Sequence, residues 1–244
     1  AYQPSLKEPD DYHVTFSADK AEYRRVDGHV ETHTEVVVSP ADDVEVRRIT
    51  VTNRRRTTLY LEVTSYFEVT LAQGESDHAH KTFSNLFVET EAVEELDTLL
   101  FSRRPRSAHE TRPWGLHTLA CDLGEKCEWS YETGREAFLG RLHTPGDARA
   151  IWGDGRLAGT VGAVLDPVCS IRQALEIAPG ESARLAFTTG AAESREAALV
   201  LAERYRDIRA AQRALDLAWS TSQIELRDLG ITPEEAVVFQ RLGL

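Results

Sequence analysis

Alternation with a period of two governs three quarters of this chain. Across residues 29–38, Val30, Thr32, Thr34, Val36 and Val38 fall on one side, and His29, Glu31, His33 and Glu35 on the other. A strand with one apolar or β-branched face and one polar face belongs in a half-buried antiparallel sheet. Residues 44–52 alternate again, and residues 58–71 read as one long strand or two joined by a bulge. Shorter runs of the same kind stand at 12–16, 21–26, 83–89, 98–102, 116–122, 129–133, 158–165, 170–177 and 183–189. Asp27-Gly28 marks a hairpin, because both residues tolerate positive φ. Ser39-Pro40 and Ala178-Pro179-Gly180-Glu181 are breaks, and residues 72–81 read as a polar loop. Roughly a dozen short strands at this spacing predict an antiparallel sandwich.

After Gly190 the period changes. Ser194 is placed as an N-cap before a helix over 195–209. The helical pattern continues over 210–229, with Leu215, Trp219, Ser222, Leu226 and Leu229 on one stripe. Gly230 stands where a helix stops. Thr232-Pro233-Glu234-Glu235 is a capping box with proline at the first helical position. The expected division is a mainly β region over 1–192 and linker helices over 193–244.

Charge and cysteine narrow the function classes. The net charge of −12 repels phosphate backbones, so nucleic acid is excluded as a partner. No apolar run approaches the roughly 20 residues of a membrane helix. Three cysteines, Cys121, Cys127 and Cys169, are too few and too odd in number for a disulfide framework. They predict free, buried thiols in a reducing, cytoplasmic setting. Methionine is absent even from position 1, from which the chain is expected to be part of a longer protein.

The chemistry-bearing groups are scattered. There is no Gly-rich phosphate loop and no Gly-x-Ser-x-Gly elbow, so no cofactor is expected. Carboxylates are abundant, but the sequence shows no pair poised across a glycosidic bond. His29, Glu31 and His33 share a strand face and read as solvated surface, with no metal expected. Asp77, His78 and His80 cluster in the polar segment, where ligand-rich loops can reach a substrate. Arg103 and Arg104, followed by Trp114 and His117, combine the planar aromatic and hydroxyl-pairing groups of sugar sites; the alternative is that Trp114 is core and the arginines lie at the surface.

Several stretches taken together resemble a known family. They are Asp42-Asp-Val-Glu-Val-Arg-Arg-Ile-Thr-Val-Thr-Asn53, Glu62-Val-Thr-Ser-Tyr-Phe-Glu-Val69, Phe83-Ser-Asn-Leu-Phe-Val-Glu-Thr-Glu91 and Phe138-Leu-Gly-Arg141. Gly159-Thr-Val-Gly-Ala-Val-Leu-Asp-Pro167 and Leu217-Ala-Trp-Ser220 complete the set. They are similar to the phosphorylase-like module of cyclic β-1,2-glucan synthases, in glycoside hydrolase family 94. The resemblance implies a β-supersandwich, linker helices, and the first helix of an (α/α)₆ barrel that lies outside this chain. It places the family's catalytic groups in that barrel, so no catalytic residue carries over and the chain alone is expected to be inactive. The parent protein is expected to be a glycosyltransferase or glycoside phosphorylase anchored at the inner membrane. The resemblance also implies sandwich loops near the active-site mouth and homodimer contacts. Weight therefore falls on Asp77, His78, His80, Asn85, Arg103, Arg104 and Trp114 as weak contacts to a β-glucan oligosaccharide. The alternative is a structural module that packs against the barrel without touching sugar.

Overall fold

The computed structural model describes residues 6–72, 74–105, 107, 110–123, 128–153 and 155–242; Cys127 lies outside them. Among the described residues twelve strands form two antiparallel sheets, as the alternation implied, and helices follow the last strand. The larger sheet has the order β1-β2-β3-β4-β12-β9-β8-β7. Its strands are β1 (Asp11–Phe16), β2 (Ala21–Asp27), β3 (Val30–Val38), β4 (Val44–Asn53), β7 (Val88–Val93), β8 (Thr98–Arg103), β9 (Trp114–Cys121) and β12 (Ser182–Ala192). The smaller has the order β10-β11-β5, from β10 (Trp129–Gly134), β11 (Pro167–Ile177) and β5 (Leu59–Thr64), with β6 (Phe67–Glu68) also on β11. The long run over 58–71 is thus two strands, β5 and β6, both paired with β11.

Alternation decides what each face meets. Val51, Leu99, Phe101, Leu119, Leu185 and Phe187 of the larger sheet pack against Leu59, Ile171, Leu175 and Ile177 of the smaller. The opposite face of the larger sheet carries Val37, Val44, Val46, Leu100, Leu116 and Ala186, under α4 (Arg195–Tyr205) and α5 (Ile208–Leu229). These helices present Ala198, Ala202, Ala211, Ala214 and Ala218, small side chains that let a helix lie close to a sheet. On the far side of the smaller sheet, Phe138 and Leu139 of α2 (Arg135–Leu139) bury Val168, and α3 (Arg149–Trp152) follows. No helix among the described residues is long and apolar enough to cross a membrane.

The helix-end signals are realised. Ser194 Oγ accepts from the Ala197 N–H at 3.1 Å. Thr232 and Glu235 exchange reciprocal hydrogen bonds of 2.8 and 3.2 Å at the start of α6 (Pro233–Leu242). Gly230 takes φ 65° beyond α5. The continuous helix expected across 195–229 is instead two, because Asp207 caps a new start.

Five other expectations are corrected. Asp27 pairs with Val30, so the hairpin turn is Gly28-His29, with Gly28 alone at positive φ. The polar face of β3 is only partly solvated: His29 is exposed and Glu31 and His33 are half-buried, but Glu35 is only 5% exposed beneath the helical layer. Period two separates two faces but cannot say what later covers them. The polar loop over 72–81 is the helix α1 (Gly74–Asn85), broken at His80, whose backbone leaves helical geometry. The strand expected at 83–89 starts only at Val88, since α1 takes its first residues. The run over 158–165 forms one bridge, Thr90 to Gly162, because Gly159 and Gly162 adopt positive φ.

Candidate functional site

The charged groups at one end of the sandwich converge on α1. Lys81 Nζ lies 2.8 Å from one oxygen of Glu68, and Arg135 Nε lies 3.0 Å from the other. Asn85 Nδ2 donates to Asp166 Oδ1 at 3.1 Å. With Thr82, Val69 and Pro167 they line a pocket of about 220 Å³. The Lys81 hydrogen bond, joined by Arg135 against the effect of burial, holds Glu68 below the usual carboxylate range. The pocket therefore offers an ionised acceptor flanked by cationic donors, a set suited to hydroxyl groups. Glu68 is not a raised-pKa acid.

Arg103 lies behind this pocket. Its Nη1 donates to the Ser84 carbonyl oxygen at 2.7 Å and to Ser84 Oγ at 3.0 Å, and its guanidinium sits over the Phe87 ring at 5.3 Å. The side chain is buried and holds the C-terminal end of α1, whose last carbonyls have no partner within the helix. Asp77 is half-buried, with Oδ1 enclosed and without a hydrogen bond, while His78 and His80 are exposed.

Trp114 and Arg104 lie elsewhere. Phe101 pairs with Gly115 and Ser102 with Trp114, so Arg103 and Trp114 occupy opposite faces of the larger sheet. Trp114 packs against the Leu100, Leu116 and Ala198 cluster, under the Arg112 guanidinium at 4.8 Å. Arg104 and Arg112 both pair with Glu89, at 3.3 and 3.0 Å. The structure thus groups Asn85 and Arg103 around α1, and Arg104 with Trp114 on the helical side. Lys81 lies within the segment 77–85 that the sequence singles out, whereas Glu68, Arg135 and Asp166 come from three other segments that no spacing rule connects to it.

Two further polar clusters lie elsewhere in the sandwich. Glu22, His33 and Glu35 bring ligand atoms within 4.8 Å of one another. However, Lys20 lies 2.8 Å from Glu35 and 3.4 Å from Glu22, and Arg48 holds the second oxygen of Glu35. Burial would raise the Glu35 pKa, but the Lys20 and Arg48 hydrogen bonds outweigh it and hold it low. The positive charge a metal would bring is already supplied by side chains.

The other cluster surrounds His117, where the two sheets part to leave a cleft of about 760 Å³. His117 Nδ1 lies 2.9 Å from Thr189 Oγ1, and Nε2 lies 2.8 Å from Ser65 Oγ. Ser65 Oγ also reaches the Ile171 carbonyl oxygen at 3.2 Å, which ties the histidine to the smaller sheet. Burial, reinforced by Arg47, lowers the His117 pKa to about 3. The imidazole is a neutral pin between the sheets, stacked on Phe187.

Comparison with known proteins gives the following likenesses. The sequence family described as glycosyl hydrolase 94, supersandwich domain, matches residues 1–208. The cyclic beta-(1,2)-glucan synthase NdvB of Rhizobium meliloti (strain 1021) is 35% identical over 228 residues, covering 93% of this chain and 8% of that protein. A bacterial glucoamylase solved with acarbose aligns over 87% of this chain and 28% of its own, at 9% identity and a TM-score of 0.47. Heparinase III aligns over 78% of this chain and 23% of its own, at 8% identity and a TM-score of 0.40.

Proposed function

The chain belongs to the glycosyl hydrolase 94 supersandwich family, and from that membership we propose that it is the non-catalytic, carbohydrate-associated sandwich of a protein acting on β-glucan. The observation that carries the reading is the pocket beside α1. Lys81, Arg135, Asn85, Glu68 and Asp166 present donors and acceptors at one end of the sandwich, and Glu68 is held ionised rather than poised to give up a proton. Such a pocket forms the rim of a sugar site whose reacting groups come from another domain. In this reading residues 1–192 are the sandwich, and 193–244 lead into an (α/α)₆ barrel of the same parent chain, on the cytoplasmic side of the inner membrane.

The test is a titration with β-1,2-linked gluco-oligosaccharides, followed by backbone amide shifts. The expected result is about millimolar affinity, with shifts over residues 77–85 and at Arg135, weakened in Lys81→Ala and Arg135→Ala. Saturating sugar that leaves these amides unmoved removes the α1 pocket from the site.

A second reading, a packing and dimerisation module without sugar contact, draws on one observation. Trp219, Ile224 and Leu229 of α5 and Val238 and Phe239 of α6 are all more than half exposed. Apolar residues at this density mark a surface that another body covers. Concentration-dependent sedimentation that Trp219→Glu abolishes, together with no response to sugar, would favour that reading.

A further inference from the structure

The larger sheet has eight strands and the smaller has three in its main path with β6 alongside, so the smaller cannot cover the whole inner face of the larger. Where it ends, the inner faces of β3, β4 and β12 and the His117 end of β9 floor the 760 Å³ cleft. Its roof is the segment leaving β5, together with Phe138, Pro145 and Ile151. We infer that this cleft is a second glycan-binding site, distinct from the α1 pocket, which holds a short neutral gluco-oligosaccharide against the inner face of the larger sheet. The choice of a glucan rests on the reading given under Proposed function. The choice of a neutral, two-faced ligand rests on the cleft itself.

Three features of the cleft select that ligand. The first is charge. Arg47 and Glu45 stand two residues apart on the same inner face, joined at 2.6 Å, and cancel. His117 is neutral, so a chain of net charge −12 carries a cleft with no net charge. Such a cleft holds neither anions nor cations strongly. The second is the mixture of surfaces. Ile49, Phe67, Phe187 and Ile151 give apolar walls, which suit the C–H faces of a pyranose. Thr34, Thr189, Glu45 and the terminal nitrogens of Arg47 stand among them as hydroxyl partners, since only Arg47 Nε is engaged by Glu45. The third is size. A cleft of 760 Å³ falls in the range of about 300–1,000 Å³ of sites for small molecules. Both ring nitrogens of His117 are occupied, so the inference is one of binding and includes no proton transfer.

The experiment uses the 244-residue chain and β-1,2-linked glucotriose as the probe, with amide shifts and intrinsic affinity measured in parallel. Shifts at Thr34, Arg47 and Thr189 are expected, and Arg47→Ala is expected to weaken that set about 5- to 10-fold. Arg47 is exposed, so its removal leaves the fold intact, and Glu45→Gln, which breaks the pair while keeping the shape, provides a second readout. Lys81→Ala is expected to leave the cleft shifts unchanged. Shifts confined to α1, unaffected by Arg47→Ala, overturn the second site while the reading of the chain as glucan-associated stands. Absence of shifts at both places with saturating glucotriose overturns both.

Discussion

His117 shows how one residue can join the two sheets. Its folded pKa near 3 lies below the ~6.5 of an unfolded histidine, so between those values the native state holds fewer protons than the unfolded one. The stability this residue contributes is complete above about pH 6.5 and falls as the pH drops toward 3. Between pH 7 and 5 the loss should be about 1.5–2 kcal/mol, measured as the difference in urea midpoints. His117→Gln keeps hydrogen-bonding capacity without a titrating ring and should flatten that part of the profile; an unchanged slope would show that another group drives it. In sequence His117 was one more polar residue near Trp114. Its role depends on Thr189 and Ser65, which are 72 and 52 residues away, and no local pattern reveals such partners. Gly115 is a second case. A Cβ there would meet the Phe101 ring at 2.0 Å, because the two residues pair directly across β8 and β9. Gly115→Ala should therefore cost about 1–3 kcal/mol through overpacking, visible as a lower midpoint in thermal unfolding.

Among the elements, those fixed by local chemistry were legible and those fixed by distant packing were not. The Ser194 cap, the Thr232–Glu235 box and Gly230 depend on neighbours within a few residues, and each stands where its sequence signal put it. The period-two runs likewise became strands wherever β-branched residues filled them. The failures occur where glycine or tertiary contact overrides periodicity. The run over 158–165 alternates but contains two glycines at positive φ, and α1 forms from a stretch whose polarity alone suggested a loop. The stripe on α5 is only half realised: Leu215, Ser222 and Leu226 are buried, Leu215 in the cluster it shares with the sheet, whereas Trp219 and Leu229 are exposed. The helix is held to the sheet by polar groups as well. Glu35 on β3 binds Lys20 and Arg48, and Arg48 also donates to Gln212 on α5. Removing the carboxylate leaves Lys20 with Glu22 alone and Arg48 with Gln212 alone. Breaking a fully buried pair costs about 3–5 kcal/mol. Lys20 and Arg48 retain some solvent contact, so Glu35→Ala should cost less, about 2–3 kcal/mol. A loss below ~0.5 kcal/mol in denaturant unfolding would mean that the apolar layer alone seats α5.

At the scale of the whole molecule, the distribution of acids decides what the chain can do. Hydrolysis or phosphorolysis of a glycoside needs a protonated carboxylic acid at the glycosidic oxygen and a second group across the anomeric carbon. The α1 pocket contains Glu68 and Asp166, but Glu68 is held ionised by Lys81 and Arg135. Among the described residues the cleft between the sheets is lined by one carboxylate, Glu45, which is paired with Arg47. Burial raises the pKa of Asp97, which sits in the turn between β7 and β8, outside the α1 pocket and the cleft. General-acid catalysis contributes roughly 10²–10⁴-fold, and Glu68, held ionised, does not supply it. The chain alone should therefore release no glucose 1-phosphate from β-1,2-glucan and phosphate, and no free glucose from the glucan in water. Assaying it beside a longer parent protein containing the adjoining domain separates the two locations of the chemistry. Turnover by the isolated chain that disappears in Glu68→Gln, with the fold intact by circular dichroism, would place the active site in the α1 pocket and reverse the assignment of this sandwich as a non-catalytic partner.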